Sequence, residues 1–304
     1  MEIIRDNRKI EYKTVVALGN FDGLHKAHMQ VIKNCVGCAR DNGYKSGVLL
    51  FGTHTLNTLS GSFEKLLTDE AEKLNILAKS GVDFVYIIDF DERFMRLTPI
   101  EFADELSDKL NAKTVCVGYD YRFGHKAAGD IHLLKELGQE RGFLVSVTDE
   151  ISADGVTVKS TKIRELIESG DVAGANKLLG RNFSISGEVL HGFCNGTKMG
   201  VPTANVDYGQ NIILPRNGVY CGYTQVCGNK HKSVINIGNN PTFDADKITL
   251  ESHLLDFDGD LYGQNIRVEF VEKIRDDKKF SGIDELKEQI FSDIEIARDI
   301  LREI

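Results

Sequence analysis

Two hydrophobic periods divide the chain. In the first half, short, mostly apolar runs stand at Val15–Leu18, Gly47–Phe51, Phe84–Asp89, Thr114–Val117 and Leu144–Val147. Between them apolar residues recur at helical spacing, near Lys26–Arg40, Asp69–Ser80, Pro99–Leu110 and Ile131–Arg141. Strands with no polar face, separated by helices, predict a parallel sheet covered on both sides. A helical segment follows at Thr161–Leu179, and then the period drops to two. The runs Ile185–Leu190, Gly218–Val226, Lys232–Ile237, Ile248–Asp256 and Ile266–Glu272 alternate and are separated by turn residues, which predicts an antiparallel barrel. Ser281-Gly282-Ile283-Asp284 opens a last helix, with Ser281 as its cap and Ile283, Leu286, Ile290, Ile294, Ala297 and Leu301 as its buried stripe. The expected class is α/β plus β, with one domain over residues 1–182 and a second over 183–304.

Composition narrows what such a chain does. Its 304 residues carry a formal net charge of −9 with no Lys/Arg block, which argues against nucleic-acid and membrane-surface binding. The longest apolar stretches are strand-length, short of the ~20 residues a membrane span needs. Met1-Glu2-Ile3-Ile4-Arg5-Asp6 lacks the apolar core of a signal peptide. The six cysteines include one C-x-x-C, Cys35 and Cys38, inside a helical pattern, and no second Cys/His pair completes a zinc site. Reduced thiols in a cytoplasmic protein are therefore expected.

The candidate chemistry sits where the predicted parallel strands end, the edge at which such sheets bind ligands. Directly after the first strand comes Gly19-Asn20-Phe21-Asp22-Gly23-Leu24-His25-Lys26-Ala27-His28. A glycine break, then two histidines at i and i+3 where a helix begins, suits an anion, because a helix start offers unpaired N–H groups and partial positive charge. Later strand ends carry Gly52-Thr53-His54-Thr55, Phe90-Asp91-Glu92-Arg93-Phe94 and Gly118-Tyr119-Asp120-Tyr121-Arg122-Phe123-Gly124. The barrel half has a glycine-bearing loop, Gly196-Thr197-Lys198-Met199-Gly200-Val201-Pro202-Thr203-Ala204-Asn205, joining two strand regions. It is not a Walker A loop. Further on come Leu214–Tyr220, Asn236-Ile237-Gly238-Asn239-Asn240-Pro241-Thr242-Phe243 and Leu250-Glu251-Ser252-His253-Leu254-Leu255-Asp256-Phe257.

The first of these strings resembles the H-x-G-H motif of nucleotidyltransferases, with Ala27 in place of the glycine. Gly-Asn-Phe-Asp-Gly-x-His narrows the resemblance to bacterial bifunctional riboflavin kinase/FAD synthetases. The barrel strings, in their order, resemble the riboflavin kinase domain, so the likeness spans essentially the whole chain. It implies a Rossmann-like nucleotidyltransferase (FMN adenylyltransferase) domain over 1–182 and a riboflavin kinase barrel over 183–304. It departs at Thr53 and Thr55, where the family has prolines, at Lys159, and at Thr197, where it has arginine.

What the resemblance implies follows position by position. His25 and His28 would donate hydrogen bonds to phosphate oxygens of ATP, while Gly19, Asn20 and Asp22 shape the loop around them. Ser160, Thr161 and Arg164 would meet the triphosphate, and His54, Asp120, Arg122 and Phe123 the flavin. In the barrel, Thr203 and Asn205 would give oxygens to Mg²⁺ and the ATP phosphates, the hard donors that ion takes. Glu251 would be the general base on the riboflavin 5′-hydroxyl, and Arg275 would lie on the flavin side. The expected activity is phosphorylation of riboflavin to FMN and adenylylation of FMN to FAD, each with ATP and Mg²⁺. Two other readings stay open on sequence: a riboflavin kinase whose N-terminal half binds nucleotide or flavin without catalysis, and a nucleotidyltransferase for another phosphorylated small molecule.

Overall fold

The computed structural model describes residues 1–52, 65–89, 91–191, 200–209, 211–239 and 248–302. They form two compact units, Met1–Lys159 and Ser160–Ile304. The first is built on six parallel strands, β1 (Glu2–Ile4), β2 (Thr14–Leu18), β3 (Lys45–Phe51), β4 (Phe84–Ile88), β5 (Ala112–Gly118) and β6 (Leu144–Thr148), in the order β1-β4-β3-β2-β5-β6. Five of the six coincide with the predicted apolar runs. β1 was not expected: three residues at the sheet edge, of which only Ile4 is buried, carry too little pattern to read.

The packing shows why these strands lack a polar face. Val16 and Leu18 of β2 enter one core with Phe102, Leu106, Leu134 and Leu137. Val15 and Ala17, pointing the other way, enter a second core with Val31, Ile32, Cys35 and Leu77. Helices cover both faces: α1 (Lys26–Asn42), α2 (Glu70–Ala78), α3 (Glu92–Met95), α4 (Pro99–Asp104) and α5 (Ile131–Arg141). The segment expected as one helix from Pro99 to Leu110 changes character midway. A capping box between Thr98 and Glu101 starts α4, and the chain then widens into a π-helical turn, Glu105–Lys109. A short hairpin, β7 (Ser152–Ala153) and β8 (Val156–Thr157), turns through Asp154 and Gly155, both at positive φ as a two-residue turn requires.

In the second unit, the predicted helix Thr161–Leu179 is two helices, α6 (Ser160–Ser169) and α7 (Val172–Leu179). Gly170, at φ +90°, breaks the run, and Asp171 caps the restart by accepting from the Gly174 N–H. Six antiparallel strands then close a barrel: β9 (Phe183–Leu190), β10 (Ala204–Asp207), β11 (Gly218–Val226), β12 (Asn229–Asn239), β13 (Ile248–Leu254) and β14 (Asn265–Asp276), in the order β10-β13-β12-β11-β14-β9. Alternate residues fill it, among them Tyr220, Ile235, Ile237, Leu250, Val268 and Phe270. The terminal helix α8 (Ile283–Ile300) packs on the outer wall, where Ala297 and Leu301 meet Cys221 and Val271.

Three details differ from the sequence expectation here. Ala204 and Asn205, read as loop, belong to β10. Ser281 is not the cap of α8; Gly282 holds that position, and the Ser281 N–H and hydroxyl bond the Glu285 carboxylate instead. Ile283 is 65 % exposed, so the buried stripe is carried by Ile294, Ala297 and Leu301. Compact packing divides the chain at Lys159/Ser160, with α7 on the barrel's side of the division. Asn176 donates to the Phe270 carbonyl at 2.8 Å and accepts from the Phe183 N–H at 2.6 Å.

Candidate active sites

In the first unit the strand order reverses around β2, whose two neighbours are β3 and β5. The crevice beyond their carboxyl ends is where open α/β sheets bind ligands. The segment leaving β2 is unusual backbone: Phe21, Gly23 and Leu24 stand at φ +49°, +82° and +40°. Bulky residues rarely adopt that region. Here complete burial of Phe21 and Leu24 holds them in it. Gly19 packs closely beside them, and a Cβ there would sit a tight 3.2 Å from the Phe21 ring. The Asp22 carboxylate is buried and accepts N–H bonds from Leu67 (3.1 Å) and Thr68 (3.3 Å), while the Gly23 N–H donates to the Thr68 hydroxyl at 3.1 Å. Asp22 thereby fastens the loop to the segment that starts α2.

The loop delivers His25 to the N-cap of α1, where its Nδ1 accepts the His28 N–H at 3.3 Å. That bond puts the His25 proton on Nε2. The two rings stack 3.6 Å apart and 14° from parallel, with the Phe21 ring edge-on to His28. Burial, then His25, then Lys73 push the His28 imidazole well below its ordinary pKa, so it is neutral at physiological pH. The buried His28 Nδ1 has no protein partner among the described residues. Neutral donors at a helix N-terminus, with no acid in its first turn, suit phosphate oxygens. Asn20 lies exposed at the mouth.

The segment after β5 borders the same crevice. Phe123 and Gly129 form a bridge, and a Cβ on Gly129 would press the Phe123 ring at 2.6 Å. The His125 N–H donates to the Leu97 carbonyl at 2.7 Å, which pins this loop to the start of α4. Phe123 is buried; Asp120 and Arg122 are exposed, with Asp120 3.7 Å from Lys159. His54 lies outside the described residues. Ser160, Thr161 and Arg164 fall in the first turns of α6, in the second unit.

The barrel site is a row across strands. Asn205 of β10 stands directly opposite Glu251 of β13, and Glu251 directly opposite Asn236 of β12. Asn236 in turn faces Val219, and Val219 faces Arg275. Partners in register share a face, and here it is the outer one, since Leu250, Ser252, Ile235 and Ile237 on either side are buried inside. Burial raises the Glu251 pKa, partly offset by a Thr203 hydrogen bond. Arg275 Nε bonds both Asp293 oxygens at 3.0 Å and Nη2 adds a 2.9 Å bond, joining β14 to α8. Thr203 and Asn205 are two residues apart beside Glu251, a neutral oxygen pair that fits Mg²⁺ carried in on phosphates. Among the described residues no group of three His, Cys, Asp or Glu forms a protein metal cage.

Comparison with known proteins matches each half separately. The family model for FAD synthetase matches residues 7–162, and that for riboflavin kinase matches residues 179–301. A bifunctional riboflavin kinase/FMN adenylyltransferase of Escherichia coli (strain K12) is 38 % identical over 288 residues, covering 94 % of this chain and 92 % of the relative. The chain belongs to the bifunctional riboflavin kinase/FMN adenylyltransferase family. The protein of that name from Bacillus subtilis (strain 168) is 34 % identical over 287 residues, with 92 % and 90 % covered. A crystal structure described as a macrolide-efflux protein from Streptococcus pneumoniae is similar at a TM-score of 0.88 and 29 % identity, covering 98 % of this chain and 99 % of that one. Among the described residues no helix is long and apolar enough to cross a membrane.

For a riboflavin kinase/FMN adenylyltransferase, several structural neighbours of the sites carried no sequence signal. Lys73 of α2 is 4 % exposed and acts electrostatically on His28, though the rest of α1 and the whole of β3 lie between them in the chain. Phe51, Phe94 and Tyr121 join Phe102 and Phe123 in an aromatic line, with Phe51–Phe94 at 5.3 Å and Phe102–Phe123 at 5.4 Å. Asp293 lies within the α8 stripe and reads as one more helical acid until Arg275 is seen on it.

Proposed function

We propose that this chain makes FMN from riboflavin at the Thr203–Asn205–Glu251 row and FAD from FMN at the His25/His28 helix start. The observation that carries the reading is the register of Asn205 against Glu251, which sets a raised-pKa, partly buried carboxylate beside oxygen donors on the outer wall of the barrel. In the kinase step, the riboflavin 5′-hydroxyl oxygen attacks the γ-phosphorus of ATP, its proton passes to Glu251, and ADP leaves. A placed base is worth about 10²–10⁴-fold. Thr203 and Asn205 would hold Mg²⁺ with the phosphates, and the ion supplies neutralising charge there.

Adenylylation needs no protein nucleophile. An FMN phosphate oxygen attacks the α-phosphorus of ATP and pyrophosphate departs. His28 and His25 donate to the oxygens on which charge grows. Gly19, Asn20 and Asp22 shape their loop, Ser160, Thr161 and Arg164 serve the triphosphate, and His54, Asp120, Arg122 and Phe123 serve the flavin. Functionally the chain divides into 1–182 and 183–304, although α6 and α7 pack with the barrel. A cytoplasmic location agrees with the free thiols of Cys35, Cys38, Cys116, Cys221 and Cys227.

One chromatogram tests this. Purified protein given riboflavin, ATP and Mg²⁺ yields FMN and then FAD; FMN alone removes the adenylyltransferase assignment, and neither product removes both.

A further inference from the structure

His253 follows Glu251 by two residues and lies on the same face of β13, since Ser252 and Leu254 on either side of it are buried inside the barrel. The β10–β13 ladder ends with Ala204 opposite Ser252. One step further the register would set Thr203 opposite His253, but the chain arrives there through Pro202, which has no N–H to give to a ladder. A side chain takes over where the ladder stops: His253 Nδ1 lies 2.7 Å from the Pro202 carbonyl oxygen. A carbonyl oxygen only accepts, so the imidazole donates and carries its proton on Nδ1. Burial lowers the His253 pKa against the opposing effect of the Pro202 bond, so the ring is neutral at physiological pH and this N–H is its single donor.

The carbonyl held in this way belongs to the residue just before Thr203. On the other side of Pro202, Val201 is 4 % exposed and packs with Leu255 and Ile294. The segment entering β10 is therefore fixed at two consecutive residues, by apolar packing at Val201 and by the imidazole at Pro202. Arg298 of α8, the cation that acts on His253, is committed to both Asp256 oxygens at 2.7 Å. Thr203 comes next in the chain, with its hydroxyl bonded to the Glu251 carboxylate. We propose that His253 is a positioning residue of the kinase site, which by holding the Pro202 carbonyl sets the Thr203 hydroxyl where it meets both Glu251 and the ATP phosphates. This rests on the reading of Thr203 and Glu251 as kinase-site residues. Misplacing such a group by about 1 Å costs up to about 10²-fold in rate, so a side chain that touches no substrate matters through the one it holds.

The test is FMN formation by the full-length enzyme at varied ATP and varied riboflavin, with FAD formation from supplied FMN alongside. His253→Phe keeps a ring of similar size and removes the donor. Its kcat/KM for ATP should fall about 10–100-fold, with KM for riboflavin within about twofold of normal and FAD formation unchanged. His253→Asn carries an amide N–H as many bonds from the backbone as Nδ1 and should bring kcat/KM back to within about threefold of normal. His253→Gln carries its amide one bond too far and should stay with the Phe variant. A merely structural role would rank the three by melting temperature and not by where the donor sits. A kcat/KM for ATP within about twofold of normal in folded His253→Phe overturns the proposal, as does an Asn variant no better than Gln. If His253→Phe does not fold, the Asn and Gln variants decide alone. Thr203→Val separates the two levels. FMN formation unchanged in it overturns the assignment of Thr203 and this proposal together. Its loss beside normal His253 variants overturns this proposal only.

Discussion

The imidazoles of His25 and His28 lie face to face at the start of α1, 3.6 Å between centroids. Burial, the His25 ring beside it and Lys73 make the His28 imidazole resist charging, which keeps it as a neutral donor for a polyanion. His28→Ala should lower FAD formation from FMN and ATP by about 10²–10³-fold, mostly in kcat, while FMN formation from riboflavin persists. Product chromatography on both half-reactions checks this, and a parallel fall in both would mean that one site serves them.

The same pair predicts a pH dependence of stability. In the unfolded chain His28 protonates near its ordinary 6.5, whereas in the folded chain burial holds it well below. The unfolded state therefore binds more protons as pH falls through 6.5, and stability declines from there until the folded imidazole itself protonates. Thermal melts at pH 7.5 and 5.5 should show a drop that shrinks in His28→Gln.

Glu251→Gln keeps the shape of the carboxylate and removes the base. FMN formation should fall about 10²–10⁴-fold, with FAD formation from supplied FMN within a few-fold of normal. Because burial raises the Glu251 pKa, the wild-type kinase should lose rate on acidification at a higher pH than an ordinary carboxylate would set. The two half-reactions assayed across pH check both statements.

A barrel fragment should start at Ser160 and not at Phe183. Cutting at Phe183 removes the buried Val172, Ala175, Leu178 and Leu179 and the Asn176 side-chain bonds to the Phe270 carbonyl and the Phe183 N–H. Each buried large aliphatic chain is worth about 1.5–3 kcal/mol. The 160–304 fragment should melt cooperatively and phosphorylate riboflavin, and 183–304 should melt lower. Equal melting temperatures would contradict the docking of α7 on the barrel.

Asp293 should matter to the barrel although it lies on the last helix. It is 2 % exposed and accepts from Arg275 and from Gln289 at 2.9 Å. Asp293→Asn leaves the guanidinium half-partnered; breaking a buried pair in this way costs about 3–5 kcal/mol. A lower melting temperature and a raised KM for riboflavin are expected. Restoring Asp at that position with Arg275→Lys should recover stability better than KM, since ammonium lacks the two-pronged fork.

The sequence by itself determined the fold class and most of the elements. Five sheet strands announce themselves because a strand covered on both faces must be apolar at every position, and the barrel strands because one side faces in and one faces out. It also carried the local chemistry: Gly19–His28 is contiguous, so its glycines, acid and histidines can be read as one device. Where pattern is short or masked it failed. β1 offers one buried residue, Ala204–Asp207 follows a proline-bearing turn, and the Gly170 break sits inside a continuous helical period. Only tertiary structure decided who faces whom. Glu251 gains Asn205 and Asn236 through strand register, a property of pairing that no linear spacing encodes. Arg275 gains Asp293 only when α8 folds back, and His28 gains Lys73 only because Asp22 draws its loop to the start of α2. These contacts are long-range, and burial makes them strong by removing the water that would otherwise screen each charge and satisfy each donor.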